Sequence, residues 1–99
     1  MIDERLKQIA DHYGLDEQLN MLQEECAELI QATSKYKRRK LIDDYQHIVE
    51  EIADVEIMIA QVKYLLKMYS YHVDGVKEEK IRRQLERIQN ESELGHKDS

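Results

Sequence analysis

Glu50 to Val62 reads EEIADVEIMIAQV, and the fold turns on how this stretch is placed. Projected at about 100° per residue from Ile48, the residues Ile52, Val55, Met58, Ile59, Val62 and Leu66 fall on one arc of roughly 120°, the signature of a helix with one apolar side. Glu51 falls inside that arc and Asp54 at its edge, beside Met58 and Leu65. An ionised carboxylate drawn into an apolar seam without a partner costs several kcal/mol, so this helix calls for a counter-charge. Something cationic is expected at Glu51.

Outward from that helix, the composition is helical throughout. The 99 residues contain no Pro, Trp or Phe and only three Gly. Leu, Ile, Glu, Gln, Lys and Arg dominate, and most of these are good helix formers. Asp3 can cap a first helix carrying Ile2, Leu6, Ile9 and Ala10, which stops at Gly14. A second helix starts near Asp16 and places Leu19, Leu22, Cys26, Leu29, Ile30 and Thr33 on one face. The basic run KYKRRK, residues 35 to 40, reads as an interhelical loop, and Asp43 and Asp44 precede a long third helix over roughly 44 to 72. Asp74-Gly75 is expected to break it before a fourth helix, about 76 to 92, held by Val76, Ile81, Leu85 and Ile88. The expectation is one all-α domain over residues 1–90, shaped like a four-helix bundle, with a polar tail at 91–99 that frays.

A chain this short buries only about two-thirds of its unfolded surface, so a second copy would help it. Tyr64, Leu65, Met68 and Tyr69 also extend the third helix beyond what the second covers, which points to a homodimer or homotetramer. One cysteine, Cys26, allows no intrachain disulfide, and the N-terminus has no apolar leader, so the expectation is a cytoplasmic protein. No apolar run approaches the eighteen or so residues that would cross a membrane. The net charge is −6, yet five of the fifteen basic residues sit in KYKRRK. An acidic body with one basic knot argues against a nucleic-acid polymer as partner, because such binding wants a distributed basic face. The knot suits a compact polyanion instead.

The second helix carries carboxylates that match those of the third. In QEECAELI, Glu25 and Glu28 are three apart, about 60° around the helix, so both can address one point; Glu51 and Asp54 repeat that spacing. Packed antiparallel, the two helices would gather four carboxylates in a half-buried pocket. A hard divalent cation, Mg²⁺ or Mn²⁺, takes oxygen ligands and leaves positions for water and phosphate. A di-iron carboxylate bundle would want Glu-x-x-His on two helices, and only Asp44 and His47 come near it. His12, His47, His72 and His96 otherwise read as surface or satisfied residues.

EECAE, Glu24 to Glu28, followed after twenty-two residues by EIAD, Glu51 to Asp54, resembles the EExxE…ExxD signature of the MazG-like all-α nucleoside triphosphate pyrophosphohydrolases. The preceding GLDEQLNMLQ is similar to that family's lead-in, and the resemblance covers roughly residues 15 to 90. It implies an oligomeric, Mg²⁺-dependent enzyme cleaving an NTP or dNTP between the α and β phosphates, releasing NMP and pyrophosphate. It further implies Glu25, Glu28, Glu51 and Asp54 as metal ligands, with Glu24 as a water-orienting base or outer partner, although Glu24 lies about 100° from Glu25 on a regular helix. KIRRQLERI loosely resembles the family's Lys-x-x-x-Asn-x-x-Lys-Tyr-Pro pattern: Gln84 replaces Asn, Arg87 replaces Lys, and no Tyr-Pro follows. Phosphate contacts would come from Lys80 and Arg87, or from Lys37 and Arg38 of the basic run. The residues that read the base are unassigned, with Tyr36, Tyr64 and Tyr69 available for stacking. A non-catalytic helical interaction module, or a degenerate member that binds nucleotide without turnover, is the competing reading.

Overall fold

In a computed structural model that describes residues 2–98, the chain forms four helices and, among the described residues, no strand. The fold is all-α. The helices are α1 (Glu4–Tyr13), α2 (Leu15–Arg39), α3 (Ile42–Leu65) and α4 (Ser70–Asp98). Met1 and Ser99, the outer ends of the expected domain and tail, lie outside the described residues, as do the side chains of Ser70 and residues 96–98, His96 among them. The chain divides into two compact units, Met1–Lys67 and Met68–Ser99. The expected single domain over residues 1–90 spans both.

Within the first unit, Asp3 caps α1 by accepting from the Arg5 backbone N–H at 2.9 Å. Gly14 then closes α1 and opens α2 in one residue. Its φ of 87° is a left-handed value that glycine reaches without steric cost, and its N–H donates to the Ala10 carbonyl at 2.8 Å. The hydroxyl of Tyr64 donates toward the Asp11 carboxylate, with both oxygens at 2.9 Å, which ties α1 to α3.

The basic run is not a loop. α2 continues through Lys35, Tyr36, Lys37, Arg38 and Arg39 and stops only at Lys40, in the left-handed conformation with φ 52°. The physical reason is twofold: these residues are good helix formers, and cations in a last turn meet the negative end of the helix dipole. Lys40 and Leu41 alone join α2 to α3, which makes an antiparallel helical hairpin. Asp44 fixes the corner by accepting from the Arg39 guanidinium at 2.8 and 3.1 Å and from the Leu41 backbone N–H at 3.3 Å. Arg39 holds the Asp44 carboxyl below the usual carboxylate range.

The third helix ends at Leu65, earlier than expected, and Lys67 turns the chain with φ 56°. Asp74-Gly75, read as the breaker, lies inside α4. A glycine in an exposed helix interior costs about 1 kcal/mol relative to Ala, too little to end a helix by itself. α4 also runs through residues 91–98, which the sequence reading assigned to the tail. Along α4, Val76, Ile81, Leu85 and Ile88, the residues expected to hold the helix, are exposed.

The core side of α3 is rotated from the apolar arc. Buried residues are Asp44, Glu51, Val55, Met58, Gln61 and Val62, whereas Ile52 and Ile59 are each 43 % exposed and Leu66 is 42 % exposed. From α2 the helix meets buried Gln18 and Ala32, with Leu19, Leu22, Cys26 and Leu29 half-buried; Ile30 and Thr33 of the expected face are exposed. The side of α3 that packs is therefore the more polar one, and the Tyr45, Val49, Ile52, Ile59 stripe is left outside. Among the described residues, no helix is long and apolar enough to cross a membrane.

Candidate metal centre

The α2/α3 hairpin brings the predicted carboxylates together. Glu25, Glu28 and Glu51 each present an oxygen within 4.8 Å of the others. Burial is graded across the group: Glu51 is buried at 7 % exposure, Glu25 is half-buried and Glu28 is exposed. Asp54 stands outside this triad, exposed and beside Glu25. A shared residue sum explains the meeting, since in an antiparallel pair each step forward on α2 is a step back on α3. Glu25 thus comes beside Asp54, and Glu28 against Glu51.

The electrostatics are those of too many anions in too little water. Glu25 is pushed up from 4.5 to about 7, first by burial and then by the negative charges of Asp54, Glu28 and Glu51. One oxygen each of Glu25 and Glu51 is buried without a hydrogen-bond partner. A buried acceptor left unpaired is uncommon in a folded protein and costs about 1–3 kcal/mol, more when charged. The nearest basic group to Glu51 is His47, one turn earlier, with its Nε2 3.3 Å from Glu51 Oε1. His47 was read from sequence as a surface or satisfied histidine, with no partner named. Its i, i+4 spacing to Glu51 is the signal that would have found it.

These orphaned oxygens test the donor set for a cation. All groups are hard carboxylate oxygens, one nearly fully buried and aimed into the cluster, as a site for Mg²⁺ or Mn²⁺ would require. Glu24, by contrast, is exposed on α2, about 100° from Glu25, so the helix does not turn it toward the triad. Lys37 and Arg38 are exposed in the last turn of α2. Nine residues of helix, about 13 Å, separate Lys37 from Glu28. The tail of the basic run does structural work instead, through the Arg39 bond to Asp44.

In the second unit, Lys80, Arg83, Gln84 and Arg87 line one shallow, open hollow on α4. Arg83 joins the trio expected from sequence because 80, 83, 84 and 87 share a helical face. Of the tyrosines named for stacking, Tyr36 and Tyr64 are half-buried, Tyr64 being committed to Asp11. Tyr69 is exposed and stacks on Tyr71, ring centres 5.7 Å apart. The chain matches no protein-family model, no curated protein and no solved structure.

Proposed function

We propose that this chain is a Mg²⁺-dependent nucleoside triphosphate pyrophosphohydrolase, which cleaves an NTP or dNTP to NMP and pyrophosphate. The observation that carries the reading is Glu51: a carboxylate 7 % exposed, with one oxygen unpartnered, facing two more carboxylates across a helical hairpin. A protein does not gain stability from that arrangement by itself, so a ligand that reverses the charge balance is the economical explanation. The EECAE and EIAD motifs, which resemble the MazG-like signature, supply the reaction class.

Glu25, Glu28, Glu51 and Asp54 would hold Mg²⁺, with Mn²⁺ as substitute. The cation supplies neutralisation of the triphosphate, acidification of a water and charge stabilisation on the departing pyrophosphate. In the reaction, a water oxygen bonds to the α phosphorus, the bond from that phosphorus to the α–β bridging oxygen breaks, and a proton leaves the water. Glu25 keeps its proton near neutrality, so ligand binding at the site displaces it. Within the second unit, Lys80, Arg83 and Arg87 carry donors of the kind that bind phosphate, with Gln84 between them as a neutral donor and acceptor. The active form is a homo-oligomer, since Tyr45, Val49, Ile52 and Ile59 leave an apolar stripe exposed on α3.

The test is a screen of all NTPs and dNTPs with Mg²⁺ in which pyrophosphate is measured. The reading expects at least one nucleotide to yield NMP and pyrophosphate in equal amounts, with EDTA abolishing release. No turnover of any nucleotide with Mg²⁺ or Mn²⁺ would refute it.

A further inference from the structure

On α2, Gln18, Glu25, Glu28 and Lys35 are spaced by seven, three and seven residues, and on α3 Asp44, Glu51, Asp54 and Gln61 repeat those intervals. Seven residues return almost to the same side of a helix and three stay within about 60°, so each set forms one polar stripe. The antiparallel hairpin lays the stripes against each other in reverse order. Gln18 Nε2 donates to Gln61 Oε1 at 2.7 Å, Glu25 stands beside Asp54, Glu28 meets Glu51, and the charge of Lys35 bears on Asp44. The two outer layers are satisfied. The two inner layers hold the unpartnered carboxylate oxygens.

Nothing in the carboxylate chemistry calls for the amide layer, yet it is among the most buried parts of the molecule. Gln61 is 2 % exposed and Gln18 5 %, and the amide nitrogen of Gln61 donates to the Met58 sulfur, at 3.9 Å. Two methionines would fill that space without desolvating two amides. What an amide pair adds is direction: its bond forms at one offset and one rotation of the helices, and any slip leaves both groups buried and unpaired. At the opposite end, the Arg39–Asp44 clamp closes the corner. Seven residues, about 10 Å of helix, separate each outer layer from the carboxylates between them. Those carboxylates repel, so without braces at both ends the helices would ease apart where the cation is to sit.

We infer that the Gln18–Gln61 pair is a positioning brace, which with the Arg39–Asp44 clamp holds α2 and α3 at the rotation and spacing where the carboxylates converge, and so sets the site's cation affinity without touching the cation. The inference rests on the cation-site reading above, and it extends the site to two residues that bear no charge.

The test is the pair Gln18→Met/Gln61→Met, which removes both amides together at nearly constant volume. Its metal-free melting temperature stays at or above that of the parent, whereas Gln18→Met alone lowers it by stranding the Gln61 oxygen. Mn²⁺ affinity, followed by electron paramagnetic resonance, falls about tenfold or more in the double variant, with a changed bound-ion spectrum. A pair that merely fills the core would leave affinity and spectrum unchanged whenever stability is kept. A second arm needs no metal: Glu28→Gln in EDTA at pH 8 raises the melting temperature of the parent, because Glu28 faces Glu51, and raises that of the Met/Met chain by less than half as much. Equal gains in the two backgrounds overturn the brace, as does unchanged Mn²⁺ affinity in the double variant. If the parent binds no Mn²⁺, the cation-site reading falls, and the EDTA arm alone decides the brace.

Discussion

Replacing Glu51 by Gln should make the metal-free protein more stable. Two unit charges 4.8 Å apart, the span that encloses the Glu25, Glu28 and Glu51 oxygens, repel by roughly 3 kcal/mol at an effective dielectric of about 20. Water around exposed Glu28 reduces that figure. The amide also costs less to bury than the ion, and its NH₂ can donate to a neighbouring carboxylate. Against this stands the loss of the contact between Glu51 Oε1 and His47 Nε2 at 3.3 Å, part of which the amide oxygen of Gln can still make. The balance is a gain of about 1 to 2 kcal/mol, or about 5 to 15 °C in melting temperature for a domain of this size. The assay is thermal unfolding by circular dichroism in EDTA at pH 8, where Glu25 is ionised and repulsion is greatest. If Glu51 were a structural charge held by a cationic partner, the same substitution would strand that partner and lower the melting temperature instead. A drop of several degrees in EDTA would refute the reasoning.

The raised Glu25 carboxyl makes a pH prediction of definite sign. Folded Glu25 binds its proton up to about 7 while the unfolded chain releases it near 4.5, so metal-free stability falls as pH rises through that window. The loss is about 2 kcal/mol after allowance for solvent on the open side of this half-buried group, and Glu25→Gln should flatten the dependence in pH-resolved urea titrations. Asp44 has the opposite sign: Arg39 lowers its carboxyl, so Arg39→Met should lower the melting temperature at pH 7, with the deficit shrinking as acid protonates Asp44. Tyr64→Phe removes the bond to Asp11 and should lower the urea midpoint only slightly, because the bond is solvent-exposed. Light scattering should find a homo-oligomer at micromolar concentration, and Ile52→Lys/Ile59→Lys should convert it to monomer. A stable monomer of the parent, near 11.9 kDa, would contradict the oligomeric reading.

The carboxylate cluster was legible in the sequence because it depends on helical period and antiparallel pairing alone. Glu25 and Glu28 share a face on any α-helix, as do Glu51 and Asp54, and a short turn brings the faces together. Which side of α3 packs was harder to read. The apolar arc through Ile52 and Ile59 outweighs Asp44, Glu51 and Gln61 on any hydrophobicity scale, yet the polar stripe packs because its partners lie on α2: Gln18 answers Gln61, and Arg39 answers Asp44. Such complementarity belongs to a pair of helices, and a single wheel does not display it. The basic run was misread for a related reason. A charge cluster resembles a solvated loop in composition, but nothing before Lys40 interrupts the helix, and its cations suit a C-terminal turn. The turn at Lys67 has no glycine or proline to announce it, so no local signal marked the end of α3.

Direct titration of Mn²⁺ into the metal-free protein at pH 8, by calorimetry with the bound ion followed by electron paramagnetic resonance, tests the central claim most closely. The account predicts saturable binding that raises the melting temperature, by an amount equivalent to about 2.7 kcal/mol when free cation exceeds Kd a hundredfold. It also predicts that Glu51→Gln weakens that binding by about tenfold or more while remaining the more stable chain in EDTA. Absence of binding at millimolar Mn²⁺, or binding of equal strength in Glu51→Gln, would contradict it.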